Sequence, residues 1–353
     1  MRRGNHALLA AAAILCAAPA LAQQPASDLP KFPTPPPAAS AENSIIGPSY
    51  AEAPEVTAKP DIPQGDIREF IMYSEDSKIY PGILRIANMQ RDSRGNYVVP
   101  ASGLSAPGRY ERHIYVYIPK QYVPGTPAPF MVVQDGHSYV KRMANIMDSM
   151  IAARRLPPIV LVLADSGGSD AQGSERGLEY DTLSDRYSNW VESELLPAVS
   201  KNYGVTFTSD PEGRATMGGS SGGIAAFTMA WYHPERYHKV LSYSGTFVNQ
   251  ASPQDPKTPR GAWEYHATLI PKTAKKPIRI WMEVGEKDLH FDDPENTWHN
   301  WPLANNRMAA ALKKKGYDYR YVFAMDAHHV DPRVVKQTLP AALEWLWRDY
   351  PKQ

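Results

Sequence analysis

Arg214-Ala-Thr-Met-Gly-Gly-Ser-Ser-Gly-Gly-Ile-Ala-Ala-Phe-Thr-Met-Ala-Trp231 is the stretch on which the fold turns. Its centre, Gly219-Ser220-Ser221-Gly222-Gly223, is a G-x-S-x-G match. Residues 214–217 read as the end of a short buried strand, and residues 224–232, rich in Ala and Met, read as a helix stopped near Pro234. Strand, glycine-walled turn and helix form the context in which a serine is lifted to a helix N-terminus, where backbone N–H groups and the helix dipole favour a developing oxyanion. The turn is tight enough that side chains at its flanks would meet the neighbouring backbone, so glycine is needed there. Spacing alone admits two registers, because Gly218 and Gly222 also frame Ser220. Ser221 is preferred, since Ile224 then starts the helix three residues on.

On either side of this stretch, short and largely apolar runs at 130–133, 159–163, 240–244 and 278–284 suit strands covered on both faces. Helix-like stretches at 139–153, 181–202, 303–315 and 337–349 alternate with them. That order predicts an α/β fold around a mostly parallel sheet with helices on both faces. Residues 67–73 and 113–118, with their β-branched and alternating patterns, read as added N-terminal antiparallel strands.

The start of the chain has another character. Residues 1–22 carry Arg2 and Arg3, an apolar run at 8–18 and an Ala20-Leu21-Ala22 cleavage pattern, and so predict a removable signal peptide. The run is shorter than the roughly 20 residues a membrane span needs, so no integral membrane segment is expected after cleavage. The one cysteine, Cys16, lies in the leader, so the mature chain would have neither disulfide nor thiol nucleophile. Residues 23–65, crowded with Pro30, Pro33, Pro35, Pro36 and Pro37, read as a disordered linker. Residues 66–353 are assigned to a single domain, and the expected location is periplasmic or secreted. A formal net charge of +1 makes no case for nucleic acid as a partner.

A serine raised on such a turn needs a base, and the base needs an orienting acid. On such a sheet these follow the serine in the order acid, histidine, each just past the C-terminal end of a strand. The run 278–284 leads into Gly285-Glu286-Lys287-Asp288, and the strand at 319–324 leads into Met325-Asp326-Ala327-His328-His329. Asp288 competes with Glu286, Asp292 and Asp293, and the base lies in the His328–His329 pair. The oxyanion donors would be the Gly222 N–H and the His137 N–H in the loop Gln134-Asp135-Gly136-His137. Asp135 in that loop, Arg176, Glu179 and Asp181 after the 159–163 strand, and Trp298 and Trp301 beyond the acid are the candidates for substrate contact. The two tryptophans could stack on an aromatic acyl group or a sugar ring. No metal or organic cofactor is called for, because adjacent histidines do not place both rings on one ion.

The segments Val133-Gln-Asp-Gly136, Ser174-Glu-Arg-Gly-Leu-Glu-Tyr-Asp181, Arg214 to Gly223, Val284-Gly-Glu-Lys-Asp288 and Asp326-Ala-His-His329, closing on Leu343-Glu-Trp-Leu-Trp347, together resemble the enterochelin esterase-like branch of the esterase D family. The resemblance covers about residues 66–350. It implies an α/β-hydrolase fold and serine esterase chemistry, with Ser221 as nucleophile, Asp288 as acid and His329 as base. The family usually carries a glycine before that histidine, where this chain has His328. A small-molecule or carbohydrate ester is the substrate class implied. An acyltransferase sharing the triad, or a binding protein on the same fold, is the alternative.

Overall fold

The computed structural model describes Lys31 and residues 33–352 apart from 86–89, 92–96, 99–104, 108, 168–174 and 251–254. The expected leader and the start of the proline-rich stretch lie outside the described residues, as does Ser174. One nine-stranded sheet organises the rest. Its strands in chain order are β1 (Asn43–Ile46), β2 (Asp66–Tyr73), β3 (Glu111–Ile118), β4 (Phe130–Gln134), β5 (Val160–Ala164), β6 (Arg214–Gly219), β7 (Lys239–Tyr243), β8 (Arg279–Gly285) and β9 (Asp318–Ala324). They lie side by side as β1-β9-β8-β7-β6-β4-β5-β3-β2. Every pairing from β1 to β5 is parallel, while β3 runs antiparallel to both β5 and β2. Two short antiparallel pairs, Ile83–Arg85 with Ser105–Pro107 and Gln90–Arg91 with Tyr97–Val98, stand apart from it.

Alternation along the strands sorts the core into two layers, because successive side chains point to opposite faces. Val132, Val162, Val240 and Ile280 face one way, onto a layer containing Trp190, Val199, Phe227, Met308 and Leu312. Met131, Val133, Leu161, Leu163, Met217, Leu241 and Trp281 face the other, onto Met143, Met147, Met150, Leu339, Leu343 and Leu346. The helices supplying these layers are α1 (Val140–Ala152), α2 (Glu175–Tyr180), α3 (Arg186–Trp190), α4 (Leu196–Tyr203), α5 (Ser221–Tyr232), α6 (Trp301–Lys315) and α7 (Pro332–Leu346). A π-helical turn at Val191–Leu195 joins α3 to α4. The first eleven residues of α5 are all buried, so this helix is apolar all round and lies in the middle of its layer. None of the described helices is long and apolar enough to cross a membrane.

The expectation of a disordered linker up to residue 65 does not hold for the described part. Asn43 to Ile46 pair in register with Tyr321 to Ala324 along the edge of β9. The Thr34 N–H donates to the Phe291 carbonyl, and the Thr34 hydroxyl bonds Asn300. Val56 is buried against the α1 layer, and Asn145 donates to its carbonyl. Pro33, Pro35, Pro36 and Pro37 are compatible with this path, because they precede β1 in a stretch that pairs with no strand and so remove no ladder hydrogen bond. Poverty in apolar side chains favours disorder, but the open edge of β9 offers this segment backbone hydrogen bonds that offset it.

Candidate active site

The parallel strands deliver their C-terminal ends to one edge of the sheet, and the positive-φ non-glycine residues Asp135, Ser220, Ser244, Asp326 and Val330 all follow those ends. Each such residue is held in a sparsely populated conformation, and a cluster of them points to a site worth strain. Ser220 joins β6 to α5 with φ 58 and ψ −128. Its N–H donates to the Tyr243 carbonyl, and its own carbonyl accepts from the N–H groups of Gly223 and Thr246. Strand and helix meet at Gly218 and Gly222, where a Cβ on Gly218 would lie 2.3 Å from the Gly222 carbonyl carbon.

Ser221 does not occupy the raised position expected of it. Its side chain is fully buried, and its Oγ accepts from Gln250 Nε2 at 3.1 Å. Ser220, one residue earlier, is half-buried and carries the strained turn. Gly218 and Gly222, two residues to either side of Ser220, make the backbone crossing. The helix starts directly after the turn, so counting three residues ahead of Ile224 pointed one position too far.

Asp288 and His329, expected as acid and base, lie in contact. Asp288 is buried in the turn after β8 and accepts from His329 Nδ1 at 2.5 Å and from the Leu289 N–H at 2.6 Å. His328 is exposed and donates its N–H to Asp331, so of the pair only His329 reaches Asp288. The competing carboxylates are engaged elsewhere: Glu286 accepts the Asp326 N–H, Asp292 pairs with Lys31, and Asp293 bonds His290. Gly285 lets the two strand ends close, since a Cβ there would meet the Ala327 carbonyl oxygen at 2.4 Å. Val330, just past the base, has φ 47 and is held by Ser244 Oγ at 2.8 Å. A Cβ on Gly219 would touch Val330 Cγ1 at 3.0 Å, so the loop carrying His329 abuts the strand end carrying Ser220.

The mouth of the site follows the sequence expectation only in part. Asp135 forms a two-pronged pair with Arg176 at 3.1 and 2.8 Å, and its Oδ2 lies 3.0 Å from where a Gly222 Cβ would be. A cavity of about 470 Å³ is lined by Tyr110, Asp135, His137, Asp165 and Arg176. The His137 N–H, expected at the oxyanion, is donated to Asp165 Oδ1 at 2.9 Å, because the 3₁₀ turn Gly136–Ser138 swings it that way. Glu179 does not line the mouth itself: it is buried in an ion pair with Arg112 and accepts from the hydroxyl of Tyr110, which does line it, and burial raises its pKa. Trp301 is buried too, its indole edge-on to the His329 ring with centroids 6.0 Å apart. It packs against the His329 ring rather than lining the mouth. Trp298 is 36% exposed with Arg260 over its ring, and it remains at the surface. Asp181 is buried beside Ser221 and bonded by Gln250 Nε2 at 3.2 Å. Gln250 and Ser244 were missed by sequence reasoning. Only their place after the strand at β7 could have drawn notice, since a glutamine or serine in a loop has no pattern of its own. Among the described residues no three metal-ligating side chains cluster.

Residues 105–346 match the Esterase family. The chain belongs to that family. An uncharacterized Bacillus subtilis protein, YbbA, is 23% identical over 250 residues, covering 67% of this chain and 92% of its own length. The iron(III) enterobactin esterase of Dickeya dadantii is 28% identical, covering 39% of this chain, and the match spans only 30% of that enzyme. The solved enterobactin esterase of Shigella flexneri superposes with a TM-score of 0.56 at 20% identity, covering 82% of this chain and 60% of that one. A solved ferulic acid esterase gives 0.54 at 16% identity, covering 81% of this chain and 99% of that one. At these identities the superpositions establish the α/β-hydrolase type of fold. The chain spans about a third of the length of the Dickeya esterase and well over half of the solved Shigella enzyme.

Proposed function

We propose that this Esterase family member hydrolyses small carboxylic esters through an acyl-enzyme, with Ser220 as nucleophile, His329 as base and Asp288 as the orienting acid. One observation carries the reading: His329, bonded to Asp288 across two strand ends, stands on a loop that abuts the strained Ser220 turn. With Nδ1 committed to Asp288, His329 keeps Nε2 for the serine proton. His329 takes that proton as Ser220 Oγ attacks the ester carbonyl, and the imidazolium so formed is stabilised by Asp288. The Ser221 N–H, the first after the nucleophile, receives the oxyanion at the start of α5, where the helix dipole adds to it. The tetrahedral intermediate expels the alcohol with the His329 proton. Water, deprotonated by the same histidine, then releases the acid. The Asp135–Arg176 pair and the cavity beside it form the polar wall that receives the substrate. Small aromatic or carbohydrate esters are the class proposed, supported by relatives and neighbours whose names refer to enterobactin and ferulic acid. Export is part of the proposal, carried by the leader pattern at residues 1–22.

The test is a pair of variants, Ser220→Ala and Ser221→Ala, assayed on p-nitrophenyl acetate, together with a fluorophosphonate probe located by mass spectrometry. Ser220→Ala should lose several orders of magnitude in kcat, while Ser221→Ala should lose about a hundredfold, the cost of a misplacement of about 1 Å. The probe should sit on Ser220. A probe on Ser221, or an active Ser220→Ala enzyme, would overturn the assignment. N-terminal sequencing of envelope protein should begin at Gln23, and retention of Arg2 would refute cleavage there.

A further inference from the structure

Asp181 follows α2, is 2% exposed and takes no part in the triad. A carboxyl in such a place is costly unless something uses it. Gln250 Nε2 forks between two acceptors, Asp181 Oδ2 at 3.2 Å and Ser221 Oγ at 3.1 Å. The loop that carries Gln250 is also tied to the turn directly, since the Thr246 N–H donates to the Ser220 carbonyl. The residue after the proposed nucleophile is therefore held through its side chain by an amide that Asp181 holds in turn. Asp181 Oδ1 has no hydrogen-bond partner and is buried.

We propose that Asp181 is a positioning residue which, through Gln250 and Ser221, aims the Ser221 N–H at the developing oxyanion. This rests on Ser220 being the nucleophile. It goes beyond that reading by giving a role to a group outside the triad. The Ser221 hydroxyl takes no part in the bond making; it is the anchor by which Gln250 sets the direction of the backbone N–H. A donor about 1 Å out of place costs on the order of a hundredfold, and removal of an oxyanion donor costs about 10²–10³-fold.

The charge on Asp181 gives a second readout. Burial pushes its pKa up to about 7, with Asp135 from the turn after β4 adding to the effect. Arg176 from α2, the Gln250 amide and the Ser221 hydroxyl pull the other way. Below that pH the neutral acid holds Gln250. Above it the carboxylate still accepts the bond but sets a negative charge beside the growing oxyanion, so turnover falls as pH rises through that point. Asp181→Asn keeps an oxygen acceptor for Gln250 and never ionises.

The experiment measures kcat and KM for p-nitrophenyl acetate from about pH 5 to about 9 in the full chain, in Asp181→Asn and in Asp181→Ala, with circular dichroism on each. Asp181→Ala should lose about 10²-fold in kcat with KM within about threefold, as expected when an interaction made only in the transition state is removed. Asp181→Asn should stay within about threefold of the parent below pH 7 and lack the parent's decline above it. A folded Asp181→Ala with parental kcat overturns the proposal, and so does an Asp181→Asn as damaged as Asp181→Ala at every pH. If Asp181→Ala does not fold, the Asp181→Asn profile decides alone, and a profile superimposable on the parent's refutes it. Ser220→Ala is run beside them: activity surviving there refutes the nucleophile assignment, whatever Asp181 does.

Discussion

Gly218 is the position at which the strand carrying Ser220 touches the helix that follows it. A Cβ added there would stand 2.3 Å from the Gly222 carbonyl carbon, 2.4 Å from its oxygen and 2.8 Å from its Cα. All three are backbone atoms, so no rotamer change relieves the contact. To reach an ordinary separation of about 3.4 Å, strand and helix must part by about 1 Å, the difference between 3.4 and 2.3. Overpacking of this kind costs about 1–3 kcal/mol. A 1 Å displacement of the reacting group costs on the order of a hundredfold in rate. Gly218→Ala should therefore lower kcat/KM for p-nitrophenyl acetate about a hundredfold while destabilising the fold only moderately. Gly204→Ala supplies the control, since nothing lies within 4 Å of its Cβ and only its φ of +68 is strained. It should cost about 1–2 kcal/mol of stability and leave kcat/KM within about twofold. Gly219→Ala should fall between them, because its Cβ meets the Tyr139 hydroxyl at 2.6 Å and Val330 methyls at 3.0 and 3.2 Å, all side-chain atoms with some room to move. The readouts are steady-state kinetics and thermal midpoints on the same preparations. Parental kcat/KM in a folded Gly218→Ala would refute the claim that this crossing sets the serine's position.

Three further outcomes are expected. His329→Ala should reduce kcat by several orders of magnitude, and His328→Ala by less than about tenfold, since the exposed His328 ring lies off the acid; the reverse ranking in folded proteins would move the base to His328. His266 is buried, and burial pushes its pKa down to about 3, opposed by its bond to the Phe247 carbonyl. Stability that depends on neutral His266 is present above about pH 6.5 and is lost as pH falls towards 3, by roughly 4–5 kcal/mol in all. His266→Gln should flatten that part of the acid unfolding curve, measured by urea denaturation at stepped pH, and an unchanged curve would refute the assignment. Removing residues up to 64 should lower the thermal midpoint and kcat together, because it strips β1 from β9 and releases the Phe291 and Asn300 contacts made by Thr34; an unaltered truncated enzyme would show that this segment supports neither.

The parallel sheet could be read from the chain because its strands are buried on both sides and contain little else. Phe130 to Gln134 and Val160 to Ala164 are buried at every position, and continuous apolar runs report that situation directly. The order of acid and histidine was legible for a related reason: the ends of those strands are where the chain gathers, so an Asp and a His after two of them had to become neighbours. The mouth was not legible. Glu179 and Arg176 stand on the same short helix, yet Arg176 meets Asp135 while Glu179 turns inward to Arg112. Nothing local separates an inward carboxylate from an outward one when the buried arginine that claims it lies on a strand far away in sequence. Trp301 posed the same difficulty, since an aromatic after the acid can stack on substrate or on the base, and here its partners are His290 and His329.

The serine register shows most clearly where local sequence loses its hold. Four glycines surround two serines, so both frames satisfy the pattern. What separates them is which glycine pair makes the backbone crossing, and a crossing is a distance between strand and helix rather than a property of either. Gly223 faces Ser242 Oγ and Gly219 faces Tyr139 and Val330, whereas Gly218 faces the Gly222 backbone, and Gly222 itself faces Gln134 and Asp135. The turn residue midway between that pair is Ser220, and its backbone takes the positive φ that a sharp reversal from strand to helix demands. Ser221 then begins the helix with its side chain directed inward, where Gln250 and Asp181 receive it. On the reading proposed here the second serine serves to hold the turn of the first, and its hydroxyl has in Gln250 the partner that such a role requires.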